Sequence, residues 1–516
     1  MFLRSVIAGR LIFMKCSFTF LKKRICTVLA GFVMCVLSAA QSADSLVVTL
    51  SLKNVVDLAI TQSASVKYAQ NTNVNYYWRW RNFKTSFRPQ LVLSGNLPEY
   101  IHRPDAVVQP DGSIEFYFQS QMRANAQLSL NQQIPQTNTY IWAGTDLYRN
   151  EDFIKNSVQF SGAPYEIGIY QPIFAYNYMK WQRKTEPLIH EESQKQFNQS
   201  IEEIALEATR RFFKFLRIQT NYNLAANNLK NSQDNLRIAE TKKQLGKISE
   251  NDFARIQLSV LNAQKALSRS KMELNNADFE LKSYINLDMN QKIDLLMPLD
   301  MILFEIDSEK ALEEAKANRK ETPLFQRRLI EANSQLVRAK RSNGLSATLS
   351  GSIGVSNVAY DYTGIYEEPE TGRSLKLSLS IPILDWGRSA STVKLAESQR
   401  ELVVYDVERD KMDFERGVVV QVEQFSLLRD QLNTAREADK VAENGYLIAL
   451  KKFQSGEISI TDLNIALSER ESAKRDYITS IETYWQSYYR LRILTLYDFE
   501  LNQKIWYSNP MLDNEK

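Results

Sequence analysis

The sequence predicts an α+β membrane protein in which long antiparallel coiled-coil hairpins alternate with β-hairpins, and three observations lead there. First, one glycine-led phrase is written twice, 210 residues apart: Gly246-Lys247-Ile248-Ser249-Glu250-Asn251-Asp252-Phe253 and Gly456-Glu457-Ile458-Ser459-Ile460-Thr461-Asp462-Leu463. The same offset links Gln171-Pro172-Ile173-Phe174 to Ile381-Pro382-Ile383-Leu384, so the sequence predicts an internal two-fold repeat. Second, each phrase follows about 70 residues almost free of proline and glycine, enough for a helix of ~100 Å at 1.5 Å per residue. Third, stretches of strict alternation such as Ser374 to Ile381 sit between the helical segments and read as strands.

The chain opens on Lys22-Lys23-Arg24, an apolar run over residues 25–40 and the small-residue stretch Ser38-Ala39-Ala40-Gln41-Ser42-Ala43. This is the pattern of a signal peptide over residues 1–43, cleaved at about 40–43, with Met14 a second possible start. All three cysteines, Cys16, Cys26 and Cys35, fall within it. The mature chain therefore has no thiol, which excludes disulfides, thiolate catalysis and zinc-thiolate sites. The formal charge of +4 belongs to the leader too: it holds six Lys/Arg and no Asp/Glu, leaving about −2 for residues 44–516. A basic nucleic-acid binder is not expected. No mature segment has the 18 or more apolar residues of a membrane-spanning helix, so any crossing must be made by strands.

Residues 44–300 form the first predicted repeat. An opening helix carries the seam Ala59, Gln62, Val66, Ala69, Asn73, Tyr76, Trp80, Phe83, Phe87, in alternating steps of three and four. At an offset of 256 it aligns with the helix around Ala311. The difference between the two offsets gives the first half about 46 extra residues before Pro172, enough to lengthen a hairpin or to add a strand pair. Alternation over about 90–171 supplies two to four strands, and Tyr148, Tyr165 and Tyr170 suit interfacial aromatic girdles. A long helix follows from about Tyr176, kinked by Pro187, then a tip at 246–252 and a returning helix with the seam Phe253, Ile256, Val260, Ala263, Leu267, Ser270, Leu274, Ala277, Leu281, Tyr284.

Residues 301–516 repeat the plan: helix, β-hairpin at about 346–382, long helix from Gly387 to Ser455, tip at 456–462, returning helix and an irregular tail. In each tip the glycine supplies a left-handed helix end. Ser249 with Asp252, and Ser459 with Asp462, read as capping boxes for the returning helices. Pro172, Pro382 and Gly387 mark the strand-to-helix junctions.

In this order, with Phe87-Arg88-Pro89-Gln90-Leu91 at the first helix-to-strand passage and Ile381-Pro382-Ile383-Leu384-Asp385-Trp386-Gly387 at the last, the mature chain resembles the TolC-like outer-membrane efflux and secretion channel family. The resemblance implies a homotrimer in the outer membrane of a Gram-negative bacterium, with a large periplasmic portion. Each chain would supply four strands to one shared transmembrane β-barrel and its helices to a periplasmic tunnel. It implies a passive export duct served by a periplasmic adaptor (membrane fusion protein) and an inner-membrane RND or ABC transporter, with outer-membrane lipid around it. The tips Gly246, Ile248, Ser249, Asp252, Gly456, Ile458, Ser459 and Asp462 would meet the adaptor, and Asp462 would form an acidic ring at the periplasmic entrance. Where the family has a further acidic residue and a basic one near that ring, this chain has Ile465 and Ile458. Asp462 is thus left with two roles, helix cap and entrance carboxylate, that the sequence does not separate.

Nothing in the pattern suggests catalysis, a metal or a cofactor. The mature histidines are His102 and His190 alone, far apart and in unrelated contexts, and no phosphate loop or nucleophile elbow is present. The competing reading is a coiled-coil scaffold of the cell envelope without a pore, which explains the heptads but not the strands.

Overall fold

The computed structural model describes residues 47–298 and 304–513; the expected signal peptide, with Cys16, Cys26 and Cys35, lies outside the described residues. Helices α1 (Leu52–Gln62) and α2 (Ala64–Thr85) lead into strands β2 (Gln90–Val108), β3 (Ile114–Ile134), β4 (Thr139–Asp152) and β5 (Ser157–Ile173). The chain then runs through α3 (Tyr178–Gln244) and back through α4 (Glu250–Ile285). Helices α5 (Ser308–Asn318) and α6 (Glu321–Ser342), strands β7 (Ser346–Ala359) and β8 (Glu370–Ser380), and helices α7 (Arg388–Ser455) and α8 (Ile460–Thr495) follow the same succession. Helix lengths are 11, 22, 67 and 36 residues in the first half and 11, 22, 68 and 36 in the second.

The opening helix is two helices. Ser63 adopts extended backbone (ψ 156°) and its hydroxyl accepts from the Val66 N–H at 3.1 Å, ending α1 and capping α2. The predicted seam nevertheless faces inward on both sides of the break: Ala59, Val66, Ala69 and Asn73 are buried. Periodicity reports which face is covered and is blind to a one-residue interruption that keeps the phase. The α4 seam behaves likewise, with Ile256, Val260, Ser270, Ala277 and Leu281 buried.

The strands form one antiparallel sheet in the order β2-β3-β4-β5-β7-β8. Six strands per chain replace the four that the resemblance implied, because the first-half excess folds as an additional strand pair in the same sheet. The long helices lie side by side in the order α4-α3-α8-α7. Arg217 of α3 pairs with Glu482 of α8 at 2.8 Å, and buried Gln421 of α7 donates to Ser487 of α8 at 2.7 Å. Among the described residues no helix is long and apolar enough to cross a membrane.

Midway along the helices a belt closes around them. Strand β1 (Val48–Leu50) pairs in parallel with β6 (Ile293–Leu295), and Gln219 of α3 exchanges two 3.1 Å bonds with the Leu295 backbone. The segment after α8 packs down as well: strands β9 (Tyr497–Asp498) and β10 (Gln503–Lys504) pair, and the Tyr507 N–H reaches Asn198 at 3.0 Å. Asn509 bonds Gln70 and Asn73, and the short α9 (Pro510–Asp513) follows. The tail is irregular but docked.

At the centre of this belt the Glu202 carboxylate, with no exposure, takes two 2.8 Å bonds from Arg492 and one of 2.6 Å from the Tyr507 hydroxyl. Arg492 also pairs with Asp498. Burial, reinforced by Glu202, pushes the Tyr507 hydroxyl well above the usual tyrosine range, so it remains a donor. Arg492→Ala leaves two buried carboxylates uncompensated and should cost about 3–5 kcal/mol, read as a lowered thermal midpoint of the detergent-solubilised protein; an unchanged midpoint would show that the belt does not depend on this cluster.

Candidate functional site

Two places combine unusual chemistry with unpartnered surface: the sheet, and the end of the helical layer where both tips lie.

Directly opposed residues in an antiparallel pair share a face, so the register sorts every strand. On β3 the even positions Ile114, Phe116, Phe118, Met122, Leu128 and Leu130 share one face. The odd positions Gln119, Gln121, Arg123, Asn125, Gln127, Ser129 and Asn131 share the other. The apolar face continues through Ile141 of β4, Ile167 and Ile169 of β5, Leu349 and Ile353 of β7, and Leu375, Leu377 and Leu379 of β8. It is bare in the protomer: Leu93 is 73% and Leu375 79% exposed. Nine residues of strand rise about 30 Å, which after a tilt of ~40° matches the ~25 Å apolar band of a membrane barrel. Of the three tyrosines expected in girdles, only Tyr165 faces this side, opposite Val355. Tyr148 and Tyr170 stand opposite Asn125 and Ser350 on the polar face, where alternation places them.

The ladder shifts register at Asn96/Glu99 in β2 and once in β5, where the extra residue between Ala163 and Tyr165 is felt on both sides, at Gly144/Asp146 and at Gly162/Tyr165, and bulges bend and twist a sheet. Side chains take up the freed donors. Asn125 accepts from the Asn96 N–H and Asp146 from the Ala163 N–H, each at 3.0 Å. On the polar face Trp142 lies across Gly168, where an added Cβ would stand 2.0 Å from its ring. Sequence reasoning did not single out Asp146, Glu166, Arg123 and Lys376 on this face; strand register is the signal that selects them.

The junction residues sit where the sheet meets the helices. Pro172 is the penultimate residue of β5, opposite Thr348. Pro382 lies in the irregular passage after β8, and Gly387, at φ +85°, precedes α7. Asp385 caps α7, accepting from the N–H groups of Gly387 (3.1 Å) and Ser389 (2.8 Å); the Ser389 hydroxyl first, and then these N–H groups, hold its carboxyl below the usual range. Ile383 and Trp386 of this passage stand almost fully exposed.

At the opposite end both tips turn as glycine C-caps. Gly246 has φ +66° and Gly456 +86°. Lys247 N–H returns to the Lys242 carbonyl and Glu457 N–H to that of Lys452, each at 2.8 Å. Ser459 and Asp462 form a complete capping box, with reciprocal bonds of 3.0 and 3.2 Å. Ser249 caps α4 through the Asp252 N–H at 3.1 Å, while the Asp252 carboxylate takes the Ser249 hydroxyl at 2.7 Å. The expected return bond to the Ser249 backbone is not made there, so the first tip has half of the predicted box. The two tips touch: Ile248 and Ile458 pack on one cluster with Ile256, Phe453, Ile460 and Leu463.

His190 stacks on Trp80 with centroids 5.2 Å apart, and His102 lies on β2. No group of acidic, histidine or cysteine side chains suited to a metal occurs among the described residues.

The comparisons with known proteins fit this geometry. Residues 311–495 match the family model described as outer membrane efflux protein. About nine-tenths of the chain shares the fold of solved outer-membrane channels. The Campylobacter jejuni CmeC outer membrane channel is similar at 15% identity and TM-score 0.63, over 90% of this chain and 88% of that one. The open state of the Neisseria gonorrhoeae MtrE outer membrane channel is similar at 13% and 0.57, over 88% and 91%. The Vibrio cholerae outer membrane protein VceC is similar at 11% and 0.55, over 88% and 96%. No curated protein matches the chain.

Two outcomes follow for the tips. The serine hydroxyl and backbone N–H of Ser459 hold the Asp462 carboxyl below its usual value. A depressed carboxylate stabilises the fold above its unfolded pKa and loses that contribution as pH falls through the folded one. Amide exchange in the first turn of α8 should therefore quicken below about pH 4, and Asp462→Ala should reproduce the effect at neutral pH; equal exchange in both proteins would remove the cap. Gly456→Val forces a β-branched residue into the left-handed region at a cost of roughly 1–2 kcal/mol, visible as faster proteolysis at residues 453–463 with the sheet unaffected.

Proposed function

We propose that this protein is the outer-membrane channel component of a tripartite efflux pump or type I secretion system, a passive duct across periplasm and outer membrane. One observation carries the reading: both layers of the protomer are open at both edges, and both bear surface that only further copies and lipid can cover. The sheet ends on β2 and β8, and each unsatisfied backbone group costs several kcal/mol in lipid. The helical layer ends on α4 and α7, each with a second exposed stripe. Leu258, Leu261, Met272 and Phe279 form it on α4, and Leu402, Tyr405, Met412, Val441 and Ile448 on α7.

A homotrimer satisfies both layers by joining β2 to β8 and α4 to α7 of successive copies. Three six-stranded sheets close 18 strands, about half again the circumference of a 12-stranded barrel. The leucine face then meets outer-membrane lipid and the polar face lines the lumen. The tips, at the far end of ~100 Å helices, are the element on which a periplasmic adaptor and its inner-membrane RND or ABC transporter would engage. The matched succession of helix lengths supports a duplicated origin for this wall. Transport, with energy supplied by the partner, is the activity this arrangement serves; a scaffold without a pore leaves the leucine face without a purpose.

On the lumen face Asp146 and Glu166 are matched by Arg123 and Lys376, so the selectivity rests on Asp462, whose three carboxylates at the entrance favour cations. In a planar bilayer the purified mature trimer should give discrete, cation-leaning conductance, and Asp462→Asn should reduce the cation preference. A monomer without conductance would overturn the channel reading, while unchanged selectivity in the variant would leave Asp462 its capping role alone.

A further inference from the structure

Strand β2 is 19 residues long and β3 is 21, whereas β8 has only 11. The ladder between β3 and β4 ends at Gln121 opposite Asp152, with the Phe153 N–H still reaching the Ser120 carbonyl at 2.9 Å, so β3 residues 114–119 pair only with β2. These residues and their partners form a two-stranded ribbon rising about 20 Å beyond the sheet at ~3.4 Å per residue. It rises at the end away from the helices, since β2 leaves α2 at the opposite end. Ribbons of this kind are marginal alone, and this one carries apolar side chains beyond the band that lipid can cover. Ile114, Phe116 and Phe118 share one face with Val108, and Phe116 is 70% exposed.

A second unpartnered apolar surface lies at the same end. The segment joining β7 to β8 is folded in place: Asp361 accepts from the Thr363 hydroxyl and the Gly364 N–H, Asn357 holds two of its carbonyls, and Ile365 is buried. Yet Tyr360 is 81% exposed, and Tyr362 and Tyr366 are exposed as well.

We infer that the ribbon of one copy docks on the Tyr360–Tyr366 segment of the next, forming an interprotomer collar above the membrane. The inference rests on the trimeric barrel reading. Closing the barrel sets the helix-side ends of β2 and β8 level, with Gln90 beside Ser380. Leu91 and Leu93 then meet Leu379 and Leu377, so the apolar faces agree. That register uses up β8 at Tyr100, and the remaining stretch, Ile101–Val108, runs beside the segment preceding β8 in the neighbour. Pro104 lies in this stretch, tolerated because an edge strand can turn its nitrogen away from the ladder; it deletes a donor from the outer edge. The contact is therefore one of side chains against a loop, not a continued strand pairing. The occupant is a second copy of this chain, argued from continuity with the β2–β8 seam.

The cysteine-free mature chain makes the test direct. In the full-length protein in whole cells, one variant combines Leu93→Cys with Leu377→Cys at the seam, and another combines Ala106→Cys with Tyr362→Cys at the collar. Each is treated with a short bis-maleimide. Covalent dimers and trimers from both variants are expected. Linked seam cysteines with unlinked collar cysteines would overturn the collar while leaving the barrel intact; if neither variant links, the barrel reading itself fails. Phe116→Trp distinguishes the remaining occupant: in vesicles of brominated phosphatidylcholine its fluorescence should be unquenched, and strong quenching would place the ribbon in lipid and overturn the inference. Phe116→Ser with Phe118→Ser should lower the temperature at which the trimer dissociates in detergent without changing the conductance of the assembled channel; an unchanged temperature counts against the collar.

Discussion

The backbone hydrogen bond is the constraint on which this structure turns. A strand edge facing hydrocarbon has no water to satisfy it, and the six-stranded sheet has two such edges, β2 and β8. In the proposed trimer other copies of the chain close them, and the same joining closes the helical layer, whose outer helices α4 and α7 lie beyond α3 and α8. The protomer is best understood as a wedge of wall. Its bare leucines, its second heptad stripes and its unpaired edges follow from being seen alone.

The long helices are held in register by a small, costly device. The Glu202, Arg492, Asp498 and Tyr507 cluster ties α3, α8 and the chain that follows α8 into one belt. Buried ion pairs contribute little net stability compared with apolar packing, but they fix where elements cross. In helices of 67 and 68 residues, heptad seams allow sliding by a whole repeat, and a buried charge with one set of partners removes that freedom.

The helical plan was legible because its signals are local and repeated. Sustained steps of three and four identify covered faces, a glycine followed by serine and aspartate identifies a turn and a cap, and these read correctly even where Ser63 interrupts a helix. The polar and apolar strand faces were legible in β7 and β8 for the same reason. The tyrosine girdle failed because it was read from closeness to strand ends and not from alternation, which sets Tyr148 and Tyr170 on the polar face opposite Asn125 and Ser350. The capping box at Ser249 was half right because composition places both partners but not the rotamer of Asp252.

The sequence alone thus settles the helix hairpins and their tips, because each depends on residues within a turn or two of one another. Strand number, sheet order, the side of the wall on which Asp146, Glu166 and Trp142 stand, and the overhang of β2 and β3 beyond β8 all came from the tertiary structure. These depend on pairings between segments up to two hundred residues apart, where the entropy of closing the chain is recovered only by the completed ladder, and no local pattern encodes which strand will be the neighbour.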